Sequence, residues 1–72
     1  MKMNTDLTLF EYLKEKADEM GYGFYEFGYK AGFNPSTLYA FQTRRPSLRS
    51  YRKIAEFIEE DLTELRQLPI TK

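Results

Sequence analysis

The sequence contains no cysteine and no histidine. Without cysteine there can be no disulfide, no thiolate metal ligand and no thiol nucleophile. Without histidine the commonest general base is missing as well. No apolar stretch approaches the ~20 residues that a helix needs to span a membrane, and nothing in the sequence reads as a signal peptide. The expected setting is therefore cytoplasmic. With 72 residues the chain is one domain at most, near the lower limit for a core without cross-links. Its stability must come from tight helix packing or from self-association. There is no glycine-rich phosphate loop and no nucleophile beside a base. The carboxylate run Glu59, Glu60 and Asp61 reads as solvated surface and helix cap rather than metal site. No enzyme activity, cofactor or metal is expected.

Net charge is also zero, but its sign changes along the chain. Residues 1–20 carry three basic against five acidic side chains, residues 21–53 six against one, and residues 54–72 two against five. A basic middle between acidic ends places one positive face on a neutral globule, and local potential governs the capture of a polyanion. The plainer alternative is a cluster of solvated lysines and arginines.

What the chain does have is helical periodicity. Leu9, Leu13, Ala17 and Met20 form one amphipathic stripe. Thr8 and Glu11 have capping-box spacing and Gly21 supplies a stop, so a first helix is expected over 8–20. Gly23 can cap a second, with Phe24, Phe27 and Ala31 inward, that ends at Gly32. Gly28 inside it costs about 1 kcal/mol of helix propensity relative to alanine, which points to a close neighbour. Asn34-Pro35 starts a third helix over 35–42, with Leu38 and Phe41 inward. Thr43 to Pro46 is a turn. Ser47 caps a fourth helix with Leu48, Tyr51, Ile54, Ala55 and Ile58 inside. Asp61 and Glu64 open a last turn that ends before Pro69. The expectation is an all-α, compact bundle of four to five short helices, with tails at 1–7 and 69–72 around a domain at 8–68.

Two short helices joined by a glycine-containing turn, the second starting on a polar cap, form a helix-turn-helix unit. The stretch "FYEFGYKAGFNPSTLYAFQTRRPSLRSYRKIAEFIEEDLTEL" resembles the lambda-repressor-like helix-turn-helix domains of bacterial and phage regulators (the XRE type), with the unit at about 24–42 and similarity over roughly 9–65. The resemblance is carried by Phe27 and Gly28 before the turn glycine Gly32, by Phe33 and Asn34 after it, and by Leu38. The Arg45-Pro46-Ser47-Leu48 segment, Ile54-Ala55 and the Asp61–Leu65 ending complete it. The chain departs from the family pattern in four ways: Gly28 stands where alanine is usual, Gly23-Phe24 replace a glutamine or serine opening the second helix, Gln42 replaces an acidic residue, and the glycine that often follows the recognition helix is missing, with Arg44 nearby instead.

The resemblance implies a double-stranded DNA-binding transcriptional regulator, a repressor acting as a homodimer in a bacterial or phage-infected cytoplasm, with helix 35–42 in the major groove. Asn34, Pro35, Ser36, Tyr39 and Ala40 would face bases, although Ser36 and Thr37 are also ordinary first-turn residues. Tyr25, Thr43, Arg44, Arg45, Arg49 and Arg52 would meet phosphates, with Lys30 or Lys53 at the edge. Four to six such contacts would give a slope of about −4 to −5 in log K against log salt. Of the twelve aromatics, the phenylalanines read as core or near-core. Tyr25 and Tyr39 could meet a phosphate or sugar, or could equally form a protein interface, where tyrosine is enriched. The expected dimer surface is the C-terminal end, Leu62, Leu65, Leu68 and Ile70, or else the tail before the first helix. No small-molecule effector domain fits in the chain, so control would come from concentration or from a protein partner. The alternative reading keeps the fold without DNA binding, as a protein-interaction module of antitoxin or antagonist type that pairs with a toxin or other protein.

Overall fold

Short-range capping signals place the helix ends, and the computed structural model, which describes residues 7–71, contains five helices. They are α1 (Leu9–Glu19), α2 (Phe24–Ala31), α3 (Pro35–Ala40), α4 (Leu48–Ile58) and α5 (Leu62–Arg66). Thr8 and Glu11 form the reciprocal capping box at α1: the Glu11 N–H donates to Thr8 Oγ1 at 3.2 Å and the Thr8 N–H to Glu11 Oε1 at 3.0 Å. Asp61 Oδ1 accepts from the Thr63 and Glu64 N–H groups at the start of α5. Gly32 has φ 95° and closes α2, with the Phe33 N–H bonded to the Gly28 carbonyl and the Gly32 N–H to the Tyr29 carbonyl. Glu59 performs the same turn after α4 at φ 56°, a conformation that side chains with a Cβ resist.

α2 packs against α1, α3 and α4, and α5 packs against α4. The core runs through all five helices: Leu9, Leu13, Phe27, Leu38, Ile54, Leu65 and Leu68 are fully buried and Tyr51 nearly so. The result is an all-α bundle with a radius of gyration of 10.9 Å, close to the ~11 Å expected for a domain of this length. Among the described residues no side-chain nitrogen or oxygen is buried without a partner, and no helix is long and apolar enough to cross a membrane.

The carboxylate run has structural duties. Glu59 makes the turn, Asp61 caps α5, and Glu60 ties the α4–α5 connection to α1. Its Oε1 accepts from the Tyr12 hydroxyl at 2.9 Å and pairs with Lys16 Nζ at 2.8 Å. Burial and the Glu60 carboxylate push the Tyr12 phenol up to about 12. The bond from Lys16, supported by that from Tyr12, holds the Glu60 carboxyl below its ordinary value, and Glu60 raises Lys16 in return.

The structure differs from the sequence expectation at four places. Met20, expected on the buried stripe of α1, lies beyond the helix and is exposed. α3 stops at Ala40 rather than Gln42, because the N–H groups of Phe41, Gln42 and Thr43 bond three residues back and tighten the chain. Leu48, expected inside, stands at the first position of α4, where nothing covers it, and is 46% exposed. The expected C-terminal tail is docked: the Leu9 N–H donates to the Pro69 carbonyl at 2.8 Å and Ile70 packs on the core. Of the expected N-terminal tail, residues 1–6 lie outside the described residues.

Candidate nucleic-acid interface

α3 is fastened to the bundle by a single fully buried side chain. Leu38 fits against Gly28 of α2 so closely that a Cβ on Gly28 would sit 2.7 Å from Leu38 Cδ1. The half-lost helix propensity of a glycine here has its reason in that contact. Because Leu38 faces α2, the residues before and after it face away: Asn34, Ser36 and Tyr39 are exposed, and Pro35, Thr37 and Ala40 are half-buried. Asn34 caps α3 through its backbone, its carbonyl accepting from the Thr37 and Leu38 N–H groups. Its side chain makes no capping bond. The amide that could have been occupied by capping is therefore free to face a ligand.

Tyr39 is 42% exposed, and its ring leans on Phe10 at 5.5 Å, Phe24 at 5.6 Å and Tyr25 at 6.2 Å between centroids. The structure thus joins Tyr39, expected at bases, with Tyr25, expected at phosphate, in one aromatic cluster that braces α3 against α1 and α2. Tyr29 is 64% exposed and lies one turn after Tyr25 on the same side of α2. Sequence reasoning gave it no role, although the four-residue spacing from Tyr25 was there to be read.

The arginine pair after α3 divides. The Arg44 N–H closes α3 on the Ala40 carbonyl at 2.9 Å, and its exposed side chain has no intramolecular partner among the described residues. Arg45, expected on a phosphate, is exposed but uses part of its guanidinium on the protein's own groups. Its Nη1 donates to the Tyr51 hydroxyl at 3.0 Å and to the Arg66 carbonyl at 3.2 Å. It satisfies a polar group on a buried ring, a requirement the linear sequence does not display. Thr43, also expected at phosphate, instead points its hydroxyl back at the Ala40 carbonyl, 3.4 Å away.

On α4, Arg49 and Arg52 are both exposed and, three positions apart, lie on the same side of the helix, whereas Lys53, next to Arg52, points about 100° away. Arg52 borders a cleft with Glu56, Glu60 and Leu62 toward α5. Lys53 swings the other way and covers the α2–α3 turn, with Nζ 5.4 Å from the Phe33 ring and 3.8 Å from where a Cβ of Gly32 would lie. Lys30 reaches back over Tyr22 at 5.3 Å. The set beside α3 is therefore Arg44 at its end and Lys53 at its beginning, with Arg49 and Arg52 exposed on α4.

The expected dimer surface does not survive. Leu65 and Leu68 are fully buried in the chain's own core, and Leu62 and Ile70 are packed against it. α5 and the segment after it close the bottom of the bundle, so Leu65 and Leu68 have no free face to offer a second copy, and Leu62 and Ile70 stay only half-buried. No cluster of carboxylates that could hold a metal ion occurs among the described residues. Compared with protein-family models, with curated proteins and with solved structures, the chain finds no match.

Proposed function

We propose that this protein is a sequence-preferring, double-stranded DNA-binding regulator, similar to lambda-repressor-like helix-turn-helix proteins, that lays α3 in the major groove. One observation carries the reading. Leu38 is the one fully buried side chain of α3, and the side chains of Asn34, Ser36 and Tyr39 are exposed with no hydrogen bond among the described residues. Six residues at ~1.5 Å rise make a helix of about 9 Å, short enough to enter a groove about 12 Å wide. Asn34 is suited to adenine, Ser36 to several bases, and the edge of Tyr39 to a thymine methyl. Arg44, Arg49 and Lys53 would hold phosphates and set register without reading sequence. Few base contacts per chain favour action as a homodimeric repressor on two half-sites about 34 Å apart, through a surface other than the C-terminal leucines.

A second reading, a protein-interaction module of antitoxin or antagonist type, is favoured by the exposure of Tyr25, Tyr29 and Tyr39. Titrating a generic duplex at two salt concentrations, with anisotropy as readout, separates the two. Three phosphate contacts per chain predict a slope of about −3 in log K against log salt. No salt-sensitive binding at low ionic strength would favour the interaction module.

A further inference from the structure

The arginine that leaves the DNA-facing set creates something else. A cleft of about 410 Å³ lies between the α3–α4 turn and α5, with Arg45 and Arg66 on its walls, Pro46 and Tyr51 beneath, and Leu48 and Thr63 at its edge. No aspartate or glutamate lines it. Arg66 has no carboxylate partner: the only ion pairs among the described residues belong to Lys16.

We infer that this cleft binds an acidic segment of a protein partner in which a carboxylate is flanked by an aliphatic side chain. Three features select that chemistry. Arg45 uses both hydrogens of Nη1 on Tyr51 and on the Arg66 carbonyl, which leaves the parallel N–H pair of Nε and Nη2 free. That pair is the fork that grips a carboxylate in bidentate fashion. Because the two internal bonds already fix the guanidinium, binding forfeits little side-chain entropy. Arg66 adds a second uncompensated positive charge across the cleft, so the site is complementary to acidic chain. Leu48, half out of the protein at 46% exposure, gains from covering by an aliphatic neighbour but offers nothing to a hydrated phosphodiester strand. The site thus differs in kind from the α3 face. It offers a place where a partner can act on the protein.

The test is an amide chemical-shift titration of the whole protein with a short capped peptide alternating leucine and glutamate, beside the same peptide with glutamine in place of glutamate. Saturable shifts at Leu48, Thr63 and Arg66 are expected with the glutamate peptide and not with the glutamine one. Arg66→Gln should raise the Kd about tenfold, the effect of losing one charged hydrogen-bond partner, and Leu48→Ser should raise it several-fold by removing apolar contact. Both side chains are exposed, so both variants should fold, as an unchanged unfolding curve would show. Shifts confined to α3, equal binding of the two peptides, or an unchanged Kd in both variants would each overturn the proposal. So would concentration-dependent self-association in sedimentation that Leu48→Ser abolishes, since a second copy would then be the occupant. Duplex affinity should be the same in both variants, so loss of DNA binding by the unaltered protein would count against the α3 reading alone.

Discussion

α3 and α5 are the shortest helices described, of six and five residues, and they use their apolar side chains in opposite ways. α3 commits one fully buried residue, Leu38, to the fold and presents its polar cap and first turn outward. α5 buries Leu65, and the chain after it buries Leu68 and bonds Pro69 to Leu9 across the bundle. A close contact with Gly28 keeps α3 in place, and its exposed side is left for the proposed groove contact. A helix that completes the core has little apolar surface left to give. On the proposed reading the difference separates function from stability in two stretches that composition alone would rank the other way, since α5 is the leucine-rich one.

The sharpest way to break this contrast is to alter α5. Leu65→Ala should lower unfolding free energy by about 2–5 kcal/mol, measured by urea denaturation. If stability were unchanged and self-association were lost instead, α5 would be an interface after all. Next in size are changes on the α3 side, which should leave stability within about 0.5 kcal/mol. Asn34→Ala should cost about 1–3 kcal/mol at one operator base pair. Arg44→Ala should weaken all duplexes alike and reduce the salt slope by about 1. Arg45→Ala should behave differently from its neighbour, loosening the link between the α3–α4 turn and α5 and so registering in stability.

Smaller effects are expected where α1 meets the α4–α5 connection. Tyr12→Phe removes the hydroxyl bonded to Glu60 and should cost about 1 kcal/mol. The Glu60 carboxyl is depressed in the folded protein, so its contribution is present above the usual carboxylate pKa and lost as pH falls through the folded value. Tyr12 and Lys16 are raised, so theirs are present below the unfolded pKa and are lost as pH rises, for Tyr12 between about 10 and about 12. Stability of the unaltered protein should therefore be flat near neutrality and fall on both sides, and Tyr12→Phe should flatten the alkaline limb. The smallest expected effect is a gain. Glu59→Gly places glycine where φ is 56° and should stabilise by about 0.5–1 kcal/mol.

Helix limits were legible because their causes are local: Thr8 with Glu11, Gly21, Gly32, Pro35, Ser47 and Asp61 each act within a few residues. Much of the candidate face was legible for the same reason, since fixing Leu38 inward fixes where Ser36 and Tyr39 point. Several misplacements involve partners distant in sequence. Arg45 meets the Arg66 carbonyl 21 residues on, and Tyr12 meets Glu60 over 48. Leu65 and Leu68 are buried because the C-terminal segment folds back over the start of α1. Tyr39 leans on Phe10 through the same kind of tertiary closure. Periodicity says which side of a helix is apolar, but not whether a neighbour arrives to cover it, and Leu48 is the residue for which none does.

The most direct test of the α3 assignment is a chemical-shift footprint of duplex DNA on the isotope-labelled protein at low salt. The account predicts shifts at Tyr25, Asn34, Ser36, Tyr39 and Arg44 that fade as salt is added, with Thr63 and Leu65 unmoved. Shifts centred on α5, or none on α3 at any salt concentration, would contradict it.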